Sequence, residues 1–182
     1  MSYIKTINNF LSKKECELII QQNINVKLNL GEVGSPVGYV IDLEKRNAKV
    51  KSVELSDVTN RLINYLNNTE IIKGYSLEQT QEKFQFVKYE EGGHYDWHID
   101  TNSLPSSHRI CSVVIQLNNE YTGGELLYMD LDDNVIEFEK GIGNLFIFPS
   151  NTKHKVAPII TGTRYSLVSW LNVKSKNIKT II

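Results

Sequence analysis

The segment Tyr89-Glu-Glu-Gly-Gly-His94-Tyr95-Asp-Trp-His98-Ile-Asp100 concentrates the residues able to do chemistry. His98 and Asp100 stand two apart. On an extended strand such residues point to the same side, so one imidazole and one carboxylate converge. A second histidine from a distant strand would complete a two-histidine, one-carboxylate face. That face leaves positions open on iron(II) for a co-substrate and oxygen. His94, His108 and His154 are the candidates. His154 fits best, because it follows an apolar strand, Leu145 to Phe148, and the turn Pro149-Ser150-Asn151. His94 sits beside a Gly-Gly bend and His108 in a polar loop. An isolated His-x-Asp is common and reads equally well as a surface histidine with an N-capping aspartate. The distant histidine and a basic residue tip the balance.

That basic residue is Arg164, ten positions after His154. If Val156 and Arg164 occupy adjacent antiparallel strands, Arg164 points into the metal pocket from its deep end. A buried arginine is costly unless an anion pairs with it. A dicarboxylate would supply that anion through two parallel hydrogen bonds. Ser166 alternates with Arg164 and could donate to the same carboxylate, or it is a small core residue. Trp170 shares that parity and faces inward, where it could wall the pocket, whereas Trp97 points away from His98 and packs.

The elements that must hold these residues fall into two parts. The first part is partly helical. Ser12-Lys-Lys-Glu15 has the spacing of a capping box, and Cys16, Ile19 and Ile20 follow on one helical face. A second helix is expected over residues 57–66, with Leu55, Val58, Leu62 and Leu66 as its stripe and Asn67-Asn68 as its stop. Residues 29–48 suit an irregular hairpin or loop. After Thr80 the period becomes two, and strands are expected over 84–89, 109–117, 125–131, 135–138, 145–148 and 165–171. Turn residues separate them. Many short strands after two helices suggest a mainly β fold with N-terminal helices packed on one sheet of a jelly roll.

The chain has 182 residues and a formal net charge of -1, with 41% hydrophobic and 23% charged residues. Such a balance suits a single globular domain. It gives no overall field for nucleic acid or an anionic membrane. Cys16 and Cys111 are isolated and read as buried free thiols in a reducing compartment. No signal sequence or membrane span is legible, so a cytoplasmic protein is expected.

The residues together resemble a 2-oxoglutarate- and iron(II)-dependent dioxygenase of the prolyl 4-hydroxylase type. The resemblance rests on Tyr89-x-x-Gly92-x-x-Tyr95-x-x-His98-x-Asp100 and on Tyr121-Thr-Gly123-Gly124-Glu125-Leu126. It rests also on His154-x-Val156-x-Pro158-x-x-Thr161, with Gly162 adjacent, and on Arg164-Tyr-Ser166-Leu-Val-Ser-Trp170. Phe10-Leu-Ser-Lys-Lys-Glu-Cys16 is similar to the opening helix of such domains. The likeness runs over residues 8–172, apart from 24–55. It implies one domain over 1–182, with helical support to about residue 79 and a jelly-roll (double-stranded β-helix) core over about 80–173.

The resemblance also implies Fe(2+) on His98, Asp100 and His154, with O2, 2-oxoglutarate and ascorbate as partners in the chemistry. Arg164 would hold the 5-carboxylate of 2-oxoglutarate, with Ser166 and Tyr89 on the co-substrate, and Tyr95 and Trp170 on the prime substrate. The implied reaction hydroxylates a prolyl residue in a peptide or protein and releases succinate and CO2. Collagen-type members usually place lysine where this chain has Arg164, so the branch stays open. So do another residue or a free amino acid as substrate. Tyr89 and Tyr95 would share the His98 side only if the Gly92-Gly93 bend restores register. A zinc-dependent hydrolase would leave Arg164 without a task and lacks a placeable acid/base glutamate. A non-catalytic binding module would require a lost ligand. Residues 101–108 are expected to close over a peptide, with Leu104 capping it and Arg109 anchoring the far end, or to be an ordinary connection.

Overall fold

The structure is a computed structural model and describes residues 4–35, 38–69, 77–79, 83–101 and 109–173. The chain begins with β1 (Lys5–Ile7) and α1 (Lys13–Ile24). Five short strands follow: β2 (Asn29–Leu30), β3 (Val33–Ser35), β4 (Gly38–Val40), β5 (Arg46–Asn47) and β6 (Lys49–Val53). After α2 (Ser56–Asn68) come β7 (Leu77–Gln79), β8 (Phe84–Tyr89), β9 (His94–His98), β10 (Cys111–Gln116) and β11 (Tyr121–Gly123). The chain then forms β12 (Leu126–Met129), β13 (Val135–Glu137), β14 (Leu145–Pro149), β15 (His154–Val156), β16 (Ile159–Gly162) and β17 (Arg164–Val173).

The capping box forms as expected. Ser12 Oγ accepts from the Glu15 amide at 3.3 Å, and a Glu15 carboxylate oxygen accepts from the Ser12 amide at 2.7 Å. Cys16 and Ile19 are buried and Ile20 packs beside them. The second helix runs past its expected stop, through Asn67 and Asn68. Asn67 does not break it, because its side chain is engaged laterally: its amide donates to the Leu77 carbonyl at 3.1 Å and accepts from the Leu77 amide at 2.7 Å. The helix ends at Thr69, whose hydroxyl donates to the Tyr65 carbonyl at 2.8 Å.

All strand pairs are antiparallel. One eight-stranded sheet runs β1-β14-β10-β17-β8-β6-β2, with β7 on β17, and a five-stranded sheet runs β13-β12-β15-β9-β5. Leu62 and Leu66 of α2 and Cys16 and Ile19 of α1 share one apolar cluster with Phe84, Phe86, Val113 and Leu167 of the large sheet. A second cluster joins Val87, Val114, Phe146 and Phe148 of the large sheet to Leu126 and Val156 of the small one. The alternation along β8 explains both: Phe84 and Phe86 face the helices, while Val87 and Tyr89 face the small sheet.

The described parts of residues 29–48 form strands rather than a loop. β2 extends the large sheet, β3 and β4 form a hairpin, and β5 is the edge strand of the small sheet. Strands of two and three residues carry no period to read. Several strands are shorter than expected. The strand anticipated over 125–131 stops at Met129, because the Asp130 carboxylate accepts from the amides of Asp132 and Asn134, both at 2.9 Å, and turns the chain. Those anticipated over 109–117 and 135–138 span Cys111–Gln116 and Val135–Glu137. Among the described residues no helix is long and apolar enough to cross a membrane.

Candidate metal centre and the pocket around it

His98 ends β9 and His154 opens β15, and the two are direct partners across the strand pair. Asp100 lies just beyond β9, where its amide and that of Thr101 donate to the Ser150 carbonyl at 2.8 and 3.2 Å. This bend brings its carboxylate between the two rings. His98 Nε2 is 3.6 Å from one Asp100 oxygen and His154 Nε2 is 3.6 Å from the other. The ligand atoms of the three residues lie within 4.8 Å of one another. Both rings are oriented in the same way. His98 Nδ1 donates to the Asp96 carbonyl and His154 Nδ1 to the Thr152 carbonyl, each at 2.8 Å. A carbonyl can only accept, so each Nδ1 carries the hydrogen and, in the neutral ring, Nε2 turns its lone pair toward the centre.

The electrostatics suit a cation. Burial, and then the neighbouring His154, push the His98 pKa far down, so the ring is neutral, the form that ligates. Burial pushes the Asp100 carboxyl up, but His154 and His98, with the Ser112 hydroxyl, more than offset it and keep it ionised. Ser112 Oγ donates to Asp100 Oδ2 at 2.7 Å and stands 2.9 Å from Ser150 Oγ. Sequence reading passed over Ser112. Its signal was a hydroxyl inside the apolar run Ile110–Leu117.

His94 is not part of this centre. Its two ring nitrogens face the Gly92 and Glu44 carbonyls, each at 3.0 Å. His108 and Leu104, with the loop 102–108, lie outside the described residues.

Arg164 reaches the pocket by a route other than the one expected. Val156 belongs to the small sheet, whereas Arg164 begins β17 in the large sheet and pairs with Tyr89. The guanidinium therefore enters from the sheet opposite the histidines. It is 1% exposed. Nη1 donates to Ser166 Oγ at 3.2 Å, while Nε and Nη2 have no partner. It lies 5.4 Å above the Tyr89 ring. The Tyr121 phenol is near enough to respond to its charge, but no hydrogen bond joins them; the Tyr121 oxygen accepts from Gln116 at 2.8 Å. Among the described residues no carboxylate pairs with Arg164.

Tyr89, Tyr95, Ser166 and Trp170 all line the same pocket as the three ligand-type residues. Tyr95 comes to the His98 side through an irregularity inside β9, where the three steps from Tyr95 to His98 oppose the two from His154 to Val156, and not through the Gly92-Gly93 bend as expected. That bend is a tight turn in which the Gly93 amide donates to the Glu90 carbonyl at 2.7 Å. Gly92 takes φ +75° there, a conformation that side chains rarely adopt. The Tyr95 ring stacks on the His98 ring with centroids 3.5 Å apart and planes 12° apart. Burial pushes the Tyr95 phenol up to about 12, so it stays a neutral donor. Arg109 sits 3.6 Å over the Trp170 ring and donates to the Asp100 carbonyl at 3.3 Å. The Trp170 indole N–H helps hold Asp100 ionised, yet it has no partner at hydrogen-bond geometry. Trp97 points away, as expected, and packs against Lys155 at 5.0 Å. Arg46, Gln85 and Tyr39 also line the pocket and were not anticipated.

Residues 84–172, which carry all of these groups except Arg46 and Tyr39, match the family model of the 2OG-Fe(II) oxygenase superfamily. Over those residues the chain is similar to members of that superfamily. Its members use Fe(2+), 2-oxoglutarate and O2. The converging ligand atoms and the buried, unpaired arginine fit a divalent ion and an anionic co-substrate.

A PKHD-type hydroxylase of Synechococcus sp. (strain CC9605) is 29% identical over 133 residues, which are 71% of this chain and 60% of that protein. The matched stretch thus spans less than two thirds of that relative. One from Prochlorococcus marinus (strain MIT 9515) is 29% identical over 94% of this chain and 81% of its own length. Among solved structures, the fold is similar to a prolyl hydroxylase from Trichoplax adhaerens, in complex with a hypoxia inducible factor oxygen degradation domain peptide fragment. The TM-score is 0.76 at 21% identity, over 93% of this chain and 83% of that one. A Pseudomonas putida prolyl-4-hydroxylase superposes with a TM-score of 0.72 at 19% identity, over 96% of this chain and 95% of that one.

Proposed function

We propose that this oxygenase hydroxylates an unactivated carbon, a prolyl residue in a peptide or protein, and couples this to conversion of 2-oxoglutarate to succinate and CO2. The two facing sheets act as a jelly roll, and the chain works as one catalytic unit with α1 and α2 as outer support. His98, Asp100 and His154 hold the metal. When bound, iron(II) supplies the oxygen chemistry. The protein supplies geometry and excludes water.

One observation carries the reading: a fully buried guanidinium with two unmet nitrogens in the pocket that also contains the triad. An uncompensated buried cation is strongly unfavourable unless an anion completes it. A dicarboxylate long enough to reach from the metal to Arg164 does so, with its far carboxylate accepting from Nε and Nη2. Ser166, already tied to Nη1, fixes the fork. Tyr89 closes the side of this end and donates its hydroxyl to the same co-substrate. Tyr95 and Trp170 border the substrate side, where Tyr95 holds its neutral phenol beside His98. Names of relatives support the prolyl assignment, and the peptide in the Trichoplax complex supports a peptide substrate.

Iron(II) and 2-oxoglutarate added without oxygen should give a weak visible charge-transfer band. Admission of oxygen with a proline-containing peptide should then give succinate and a peptide heavier by one oxygen atom. Absence of the band with metal bound, or succinate formation that no candidate peptide or amino acid stimulates, would sink the proposal.

A further inference from the structure

A second buried arginine lines the pocket. Arg46, on edge strand β5, is 9% exposed, and among the described residues no carboxylate pairs with it. Nη1 donates to the Glu32 carbonyl at 2.9 Å, Nη2 makes a long contact of 3.4 Å with Gln85, and Nε has no partner. Its guanidinium lies 4.6 Å over the Tyr95 ring, which itself stacks on His98.

The position is built rather than incidental. The guanidinium rests on Gly31, where a Cβ would come within 2.6 Å of Nε. Any side chain at residue 31 would displace the charge. The groups at the metal do not use the charge of Arg46, while Arg109, also in this lining, is engaged with Trp170 and the Asp100 carbonyl. A divalent ion, the Asp100 carboxylate, a co-substrate dianion and Arg164 cancel one another. Arg46 is then a buried cation with two neutral acceptors and one aromatic face. Its arrangement repeats that of Arg164: each arginine lies over one tyrosine of the pocket, and each keeps unmet hydrogen-bonding capacity.

We infer that Arg46 binds a carboxylate of the prime substrate, held on the Tyr95 side of the metal. This rests on the oxygenase reading above and names the substrate class: a prolyl unit with an adjacent acidic group. The group is either an Asp or Glu side chain flanking the proline in a peptide or the free carboxylate of a single amino acid.

Calorimetric titration without oxygen, with iron(II) and 2-oxoglutarate present, tests it. One arm compares a peptide whose proline is flanked by glutamate with the glutamine version. The other compares L-proline with its amide. In the wild type the acid form of one pair should bind about tenfold or more tightly than its neutral partner, as expected for a charge-assisted hydrogen bond. The arm that shows the preference identifies the source of the carboxylate. Arg46→Met should reduce the preference to less than about twofold. Gly31→Ala should do the same while keeping the charge, because it moves the guanidinium and leaves the backbone unstrained. Equal affinity for acid and neutral forms in the wild type, or a preference undiminished in Arg46→Met, overturns the inference. The charge-transfer band reports on the co-substrate reading separately. A band with no carboxylate preference defeats the Arg46 assignment alone. A preference lost in Arg46→Met supports it whether or not the band appears.

Discussion

The two ends of the pocket use the same pair of residue types on different foundations. At one end Arg164 lies over Tyr89, and both sit on β17 and β8, interior neighbours in the large sheet. At the other Arg46 lies over Tyr95, on β5 and β9, where β5 is a two-residue edge strand. An interior strand has hydrogen bonds on both sides and cannot shift without breaking two ladders. An edge strand is held on one side only. The interior end is therefore the stiffer of the two. The difference teaches that one pocket can be held by interior strands at one end and by an edge strand at the other; on the proposed reading these are the co-substrate and substrate ends.

Several substitutions break or sharpen this contrast. The largest effect removes what both ends share. Asp100→Ala leaves two histidines without their carboxylate, so iron(II) titration should show no tight site and 2-oxoglutarate turnover should fall to background. Tight iron binding by this variant would put the metal elsewhere.

Arg164→Ala should separate the ends. Losing one partner of a buried charge pair costs about 3–5 kcal/mol, so the 2-oxoglutarate requirement should rise roughly a hundredfold or more. Iron binding should persist, and peptide affinity measured with saturating co-substrate should stay near the wild-type value. An unchanged 2-oxoglutarate KM defeats the assignment.

Ser112→Ala tests the support beneath the metal. It removes the 2.7 Å donor to Asp100, and loss of such an outer partner typically weakens metal binding about 10–100-fold. Iron titration should show a weaker site with unchanged stoichiometry. Wild-type affinity would make the hydroxyl a packing group only.

The smallest effect belongs to His94. Its ring clasps the Glu44 carbonyl to the Gly92 bend, tying the segment before β5 to β9. The Gly92 and Glu44 carbonyls, with Asp96, raise its pKa above 6.5, although partial burial opposes them. Both ring nitrogens face acceptors, so only the protonated ring satisfies both. A raised folded pKa gives stabilisation that is complete below about pH 6.5 and fades as pH rises through the folded value. Hydrogen exchange of the Asp96 amide, which donates to the Lys45 carbonyl at 2.7 Å, should therefore quicken over that interval beyond the intrinsic rate. His94→Gln should flatten the dependence, and the Arg164 end should show none. The same pH slope in both proteins would exclude the clasp.

Much of the convergence of His98, Asp100 and His154 was legible in residue spacing. A strand period of two aligned Arg164, Ser166 and Trp170; it also anticipated that His98 and Asp100 converge, although Asp100 lies beyond β9 and arrives through the bend bonded to the Ser150 carbonyl. The apolar turn-bounded run before His154 favoured it over His94. The Ser12 and Glu15 spacing gave the helix start. What escaped was of two kinds. Asn67 read as a stop because asparagine disfavours helix in isolation, yet its side chain is bonded to Leu77. Arg46 carried no signal, because a two-residue edge strand has no period and its burial depends on a glycine fifteen positions earlier.

The sequence by itself determined which side chains share a face along a regular strand such as β17, since backbone stereochemistry fixes that alternation locally; it did not give the irregularity in β9 that sets Tyr95 beside His98. Only the tertiary structure decided that Arg164 meets the histidines from the opposing sheet and that Arg46 reaches them from an edge. Those meetings depend on how the two sheets stack around Val87, Val114, Phe148 and Val156. Such packing joins residues distant in the chain, through apolar burial that has no direction and leaves no spacing to read.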